Sequence, residues 1–80
     1  MRVTLKYFAL LREASGRPEE TWEIASEETT GTLFGRIVER YHLKLTRADA
    51  LVAVNDAFSS MERPLKDGDT VVFMPPLAGG

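Results

Sequence analysis

Two glycines, Gly79 and Gly80, close the sequence, and their type and position suggest a working terminus. Neither has a Cβ, so the end can thread a slot too narrow for a side chain and adopt angles other residues avoid. An α-carboxylate titrates near about 3.3–3.7, so Gly80 is ionised at neutral pH. A carboxylate is a poor acyl donor until one oxygen is exchanged for a better leaving group. An ATP-using partner could supply that group as an acyl-adenylate, and attack by sulfur would leave a thiocarboxylate. The competing reading is an inert, frayed end, where small residues are tolerated.

The absence of cysteine narrows the chemistry. Without a thiol there is no disulfide, thiolate metal site, cysteine nucleophile or persulfide. Sulfur carried by this chain must therefore sit on an acyl group. Pro75-Pro76-Leu77-Ala78 leads to the glycines. The proline pair stiffens the exit, and residues 75–80 extend roughly 20 Å at about 3.3–3.6 Å per residue. Leu77 is either an apolar foothold on a partner or packs back on its own domain.

Other signals carry less. No G-x-x-x-x-G-K-[S/T] run is present to cradle phosphate. His42 reads as a cation near a helix C-terminus. Asp67-Gly68-Asp69 reads as a turn rather than a calcium loop, which needs more oxygen ligands. Gly31-x-x-x-Gly35 has helix-packing spacing, with Gly35 expected to tune backbone approach or solubility. Eighty residues make one small domain, and the net charge of −2 comes from interspersed signs. That pattern argues against a nucleic-acid binder, which needs clustered basic residues. No apolar run approaches a membrane span and no signal-peptide pattern is present, so a cytoplasmic location is expected.

The elements that must position the terminus follow from periodicity. Residues 2–8 alternate, with Val3, Leu5 and Tyr7 opposite Arg2, Thr4 and Lys6, as in a half-buried strand. Leu10–Ser15 suits a helical turn stopped by Gly16, and Thr21–Ile24 a second strand paired with the first. The main helix is expected to open at Ser26-Glu27-Glu28, both glutamates favouring the positive end of its dipole. Leu33, Phe34, Ile37, Val38 and Tyr41 form its apolar face. Leu51–Val54, a short segment around Phe58, and Thr70–Met74 read as strands, the last central and beside the first. Phe8 and Trp22 are expected to be exposed. The pattern is α+β: a β-grasp domain over residues 1–74, a mixed sheet curled round one helix, with an extended tail over residues 75–80.

Several segments together resemble the small subunit of molybdopterin synthase. They are Tyr7-Phe8-Ala9-x-x-Arg12-Glu13, Val54-Asn55, Pro64-Leu65-x-Asp67-Gly68-Asp69-x-Val71 and Phe73-x-Pro75-Pro76-x-x-Gly79-Gly80. Met74 departs from the aromatic residue common there, and Leu77 from a frequent valine. The resemblance implies a ubiquitin-like β-grasp and a sulfur-carrier role. A ubiquitin-activating-type enzyme would adenylate Gly80 using ATP, and a sulfur donor would convert it to thiocarboxylate. The tail (Pro75, Pro76, Leu77, Ala78, Gly79) would then enter the large synthase subunit, giving sulfur to cyclic pyranopterin monophosphate in molybdenum cofactor biosynthesis.

The same resemblance implies a heterotetramer whose catalytic groups lie on the large subunit, with no cofactor or metal bound by this chain. The candidate docking surface is the sheet face near the tail, with Phe8, Leu10, Phe58, Met74 and Pro75 and with Arg12 as a charged contact, since interface cores favour aromatic, Met and Arg residues; Phe58 could simply be core. Rival readings are a sulfur carrier for thiamine synthesis or tRNA thiolation, a ubiquitin-like modifier of lysines, and a β-grasp interaction module with an inert tail.

Overall fold

Alternation in the first strand decides which side of the sheet becomes core. In the computed structural model, which describes residues 1–75, β1 (Arg2–Tyr7) buries Val3, Leu5 and Tyr7 and exposes Arg2 and Lys6. Helix α1 (Ala9–Ser15) follows and stops at Gly16, whose φ of 74° is left-handed. That conformation is open to glycine and disfavoured by a Cβ, so the stop is written in the sequence. β2 (Glu19–Glu23) starts two residues earlier than expected and pairs antiparallel with β1. Ile24 lies past the strand but remains buried, its N–H donating to the Met1 carbonyl at 2.8 Å.

Helix α2 runs Thr30–Arg40, not from Ser26. Glu27 has a φ of 67°, outside the helical region, and Glu28 is held in the preceding turn. Its carboxylate accepts from the Ala25 N–H at 3.1 Å and from Arg36 at 2.9 Å. The N-cap is Thr29, whose side chain accepts from the Thr32 N–H while the Thr32 hydroxyl oxygen accepts from the Thr29 N–H. This reciprocal cap satisfies two otherwise orphaned donors, so the glutamates do not serve the helix dipole as expected. Leu33, Phe34 and Ile37 are buried, and Val38 and Tyr41 pack at the margin, as the periodicity predicts. Each fully buried side chain contributes about 1.5–3 kcal/mol before ordering entropy is subtracted.

At the helix end Tyr41 is the C-cap and His42 follows at a φ of 53°. Gly31, not Gly35, is the glycine of close approach. A Cβ on Gly31 would lie 2.6 Å from the Met61 carbonyl oxygen, whereas one on Gly35 meets open space. A 3-10 turn (Arg47–Asp49), absent from the sequence reading, leads to β3 (Leu51–Val54). Asn55 and Asp56, at φ 51° and 70°, form the tight turn into β4 (Ala57–Ser59). Positive φ at both central residues matches the right-handed twist of a hairpin. Gly68 (φ 87°) turns the chain into β5 (Thr70–Met74). Asp67 accepts from the Arg2 N–H at 2.7 Å; Asp69 accepts from Asn55 Nδ2 and the Lys66 N–H, both at 2.9 Å. Both carboxylates are thus turn fixtures.

The sheet order is β2-β1-β5-β3-β4, with β5 parallel to β1 and antiparallel to β3. The last strand is therefore central and beside the first, and α2 covers one face: the ubiquitin-like β-grasp. Val3, Leu5, Tyr7, Val52, Val71 and Phe73 meet Leu33, Phe34 and Ile37 in one core.

Candidate functional site

Strand β5 delivers the chain to Pro75, which is exposed at the end of the central strand. A Pro residue cannot donate to a ladder, so pairing ends there. Pro76, Leu77, Ala78, Gly79 and the reactive candidate Gly80 lie outside the described residues. What the structure supplies is the root from which they depart.

Around that root the face of the sheet opposite α2 is apolar. Strand parity puts Val71 and Phe73 in the core, so Val72 and Met74 stand on the other side; Leu51 and Ala53 do the same on β3. Register aligns Val72 with Ala53, and Ala53 with Phe58; Met74 aligns with Leu51. The result is a strip of five apolar side chains, with Phe58 exposed, Leu51, Val72 and Met74 partly exposed and Ala53 buried between them, and with no covering helix among the described residues. Phe58 is 70% exposed and belongs to this surface, which settles its alternative reading as core. Phe8 is 48% exposed at the end of β1. Arg12 is exposed on α1, and Leu10 lies on the same helix with its side chain outside the described residues. Phe58 and Met74 share a sheet face, whereas Phe8 and Arg12 belong to the β1–α1 corner.

The sequence reading missed a cleft of about 100 Å³ at this corner. Phe34 and Phe73 line it from the core, Phe8 and Leu11 from the α1 side, and Leu45 and Ala50 from the α2–β3 connection. Met74 and Pro75 line it too, so the tail departs from its rim. Leu45 and Ala50 lie in a stretch with no clear period, where the one local signature is the Thr46–Asp49 capping box of the 3-10 turn, which the sequence reading did not use. Only the tertiary arrangement shows them as walls.

At the opposite edge a polar cluster also went unread. The Glu20 side chain is only 8% exposed and accepts from Tyr41 Oη at 2.6 Å, from Tyr7 Oη and from Trp22 Nε1 at 3.2 Å. Burial pushes the Glu20 carboxyl up, but the two tyrosines, the indole and the nearby Arg17 together hold it below its usual range. Tyr7 and Tyr41 move up, first through burial and then through donation to Glu20. Trp22, expected to be exposed, is half-buried beneath Arg36 and Arg40, whose guanidinium carbons stand 5.2 and 5.8 Å from its ring centroid. This cluster joins β1, β2 and α2.

Comparison with known proteins follows the same geometry. The ThiS family matches residues 5–80. The chain is 33% identical over 82 residues to the molybdopterin synthase sulfur carrier subunit of Escherichia coli (strain K12), covering 98% of this chain and 99% of that one. A solved structure of a putative molybdopterin converting factor, subunit 1, from Pyrococcus furiosus is similar at 30% identity and a TM-score of 0.81, over 96% of this chain and 99% of that one. The protein–protein complex of subunits 1 and 2 of the molybdopterin-converting factor from Helicobacter pylori 26695 contains a chain similar at 25% identity and a TM-score of 0.68, over 100% of both. With the match running from within β1 through the Gly-Gly end, the chain belongs to the ThiS family.

Proposed function

We propose that this chain is the sulfur carrier of a molybdopterin synthase, and that Gly80 bears the sulfur. The observation that carries the reading is the end-to-end match, at 33% identity, to a sulfur carrier subunit of that enzyme. The apolar strip beside the tail root supports it, since interface cores favour aromatic residues and Met. The Helicobacter complex supports a large-subunit partner, because its similar chain is solved together with subunit 2.

The chemistry takes place on the terminal acyl carbon. A Gly80 carboxylate oxygen attacks the α-phosphorus of ATP on an adenylating partner, pyrophosphate leaves, and an acyl-adenylate forms. Hydrosulfide delivered by a donor adds to the carbonyl carbon; AMP departs with the oxygen, a proton is released, and a thiocarboxylate remains. The loaded tail enters the large subunit and its sulfur attacks an electrophilic side-chain carbon of the pyranopterin, where a C–S bond forms as a C–O bond breaks and the oxygen substituent leaves. Hydrolysis of the resulting acyl linkage leaves sulfur on the product and regenerates the Gly80 carboxylate. A dithiolene holds two sulfurs, so two loaded chains serve each product, in keeping with a heterotetramer. The chain's own contribution is positioning: a rigid body docks, and a side-chain-free end reaches the chemistry.

Intact mass tests the loading step. Incubation with the cognate adenylating enzyme, ATP and sulfide should add about 16 Da, one sulfur replacing one oxygen on the activated acyl group. Extension by one residue beyond Gly80 should abolish the gain. No gain in the unextended chain would refute the carrier reading, and lysine-linked adducts in its place would assign the chain to protein modification. Supplying loaded chain and cyclic pyranopterin to the purified large subunit should then yield molybdopterin.

A further inference from the structure

We infer that the outer edge of β2 takes up an extended segment of another protein as an added strand, one with a carboxylate on its α2 side and a cation on the open side of the sheet. β2 ends the sheet order and pairs with β1 alone. The Tyr7 N–H donates to the Pro18 carbonyl at 2.9 Å and the Ile24 N–H to the Met1 carbonyl at 2.8 Å, which sets the phase of the ladder. Residues of an antiparallel pair alternate in the direction of their N–H and C=O groups. Glu20 and Trp22 therefore bond to β1, and Glu19, Thr21 and Glu23 aim theirs outward. Among the described residues the one outward group with a partner is the Glu23 carbonyl, which accepts from Arg36 Nη1 at 3.1 Å. Glu19 and Thr21 are exposed, and neither proline nor bulge interrupts the strand. Such an edge is a template for strand addition.

Charge selects the occupant. Trp22, Arg36 and Arg40 line an open groove between β2 and α2. Arg36 is held by Glu28 at 2.9 Å, whereas Arg40 makes no ion pair among the described residues. The Arg40 guanidinium carbon stands 5.8 and 5.7 Å from the Trp22 and Tyr41 ring centroids, which holds its charge at the groove. Side chains of an added strand alternate between faces. A partner residue opposite Trp22 stands on the α2 side beside Arg40, where a carboxylate completes the charge. A partner residue opposite Glu19 stands on the open side, where Lys or Arg meets a carboxylate that also has no ion pair among the described residues. In an antiparallel addition these two partner residues lie three apart, the acid first. A second copy of this chain fits badly: β2 against β2 about Thr21 sets Glu19 opposite Glu23, and like charges directly opposite are destabilising. β1 separates this edge from β5, so the added strand is independent of sulfur loading.

Amide NMR of the full chain with acetyl-Thr-Glu-Val-Val-Lys-Thr-amide in millimolar excess reads the edge residue by residue. Amide exchange should slow at Glu19, Thr21 and Glu23, while Glu20 and Trp22, already bonded to β1, should keep their rates. Arg40→Ser should weaken binding about two- to fivefold, the range of an exposed ion pair. Glutamine in place of the peptide glutamate should do the same, with no further loss when the two changes are combined. Thr21→Pro deletes an outward N–H and should abolish binding, since edge strands accept proline where the N–H faces solvent. Exchange that is unchanged, or that slows equally at all five residues, would overturn the proposal, as would equal affinity for Arg40→Ser and wild type. Slowing at the same three amides with rising protein concentration and no peptide would give the edge to a second copy and overturn it too. If Thr21→Pro does not fold, the alternating pattern and the Arg40 comparison decide the matter alone.

Discussion

The hydroxyl of Tyr41, at the C-cap of α2, donates to the Glu20 carboxylate of β2 at 2.6 Å, tying the end of the helix to an edge of the sheet. The same carboxylate takes Tyr7 from β1 and the Trp22 indole from its own strand. One side chain thus holds three elements together. Removing it leaves buried donors unpaired, which costs about 1–3 kcal/mol per group when water does not replace the partner. Glu20→Ala should lower the urea midpoint with little change in slope, with a loss on the order of 2 kcal/mol.

The acid limit of stability follows from the same site. The folded-state pKa of Glu20 lies below its unfolded value, so its contribution is present above the unfolded pKa and is lost as pH falls through the folded one. Urea midpoints taken from about pH 6 down to about pH 2 should fall in the wild type, and more shallowly in Glu20→Gln. Parallel slopes in the two proteins would remove Glu20 from the account.

Tyr7 sets a limit at the alkaline end. Its folded pKa is raised by burial and by donation to Glu20, so the stability it contributes is present below the unfolded value near about 10 and declines as pH rises above it. Tyr7→Phe should be less stable at neutral pH and less sensitive to base. Absorbance of ionised tyrosine, followed together with circular dichroism, should show Tyr7 ionising only with unfolding.

The two glycines of α2 should respond in opposite directions. Gly31→Ala puts a methyl 2.6 Å from the Met61 carbonyl oxygen and against the Arg47 guanidinium; the side chain can swing away but the backbone cannot. Overpacking of this kind costs about 1–3 kcal/mol. Gly35→Ala meets open space on a helix, where alanine gains about 0.5–1 kcal/mol. Thermal denaturation of the pair should show a fall for the first and a rise for the second.

Much of the fold was legible because period and punctuation agreed. Val3, Leu5 and Tyr7 alternate, Gly16 and Gly68 mark left-handed stops, and Thr70–Met74 is apolar enough to be central. The start of α2 was misread because Glu27 and Glu28 look like first-turn residues, while the Thr29–Thr32 cap carries no acidic residue to announce it. Glu20 escaped because its partners lie on three elements, and local spacing cannot bring Tyr7 and Tyr41 together. The apolar strip was half legible: Met74 and Phe58 were named, but Leu51, Ala53 and Val72 join them only through strand register. The resemblance in scattered motifs identified the family where no single motif could.

The strip should matter for binding and not for folding. Phe58 is exposed, so Phe58→Ser should keep the melting temperature close to wild type, as surface changes stay within about 0.5 kcal/mol. If the large subunit docks there, loss of a central aromatic contact weakens binding by about 2 kcal/mol, some 30-fold in Kd. Calorimetry with the purified large subunit checks this, with Lys44→Ser as an exposed control off the sheet. Equal affinity for Phe58→Ser and wild type would move the docking surface elsewhere.

The tail makes the sharpest separation between fold and chemistry. Gly79→Val leaves residues 1–75, and hence every described contact, untouched, so the amide spectrum of the body should be unchanged. It introduces a β-branched side chain next to the reactive carbonyl, restricting the backbone and widening the end beyond what a narrow slot accepts. Adenylation and sulfur loading should fall together, by at least about tenfold, since misplacing a reacting group by about 1 Å costs on the order of 100-fold. Normal loading by Gly79→Val would mean that the partner's slot tolerates side chains and that the glycine pair is not selected by its width. A loss of loading accompanied by a disturbed body spectrum would instead place the tail's influence within the fold.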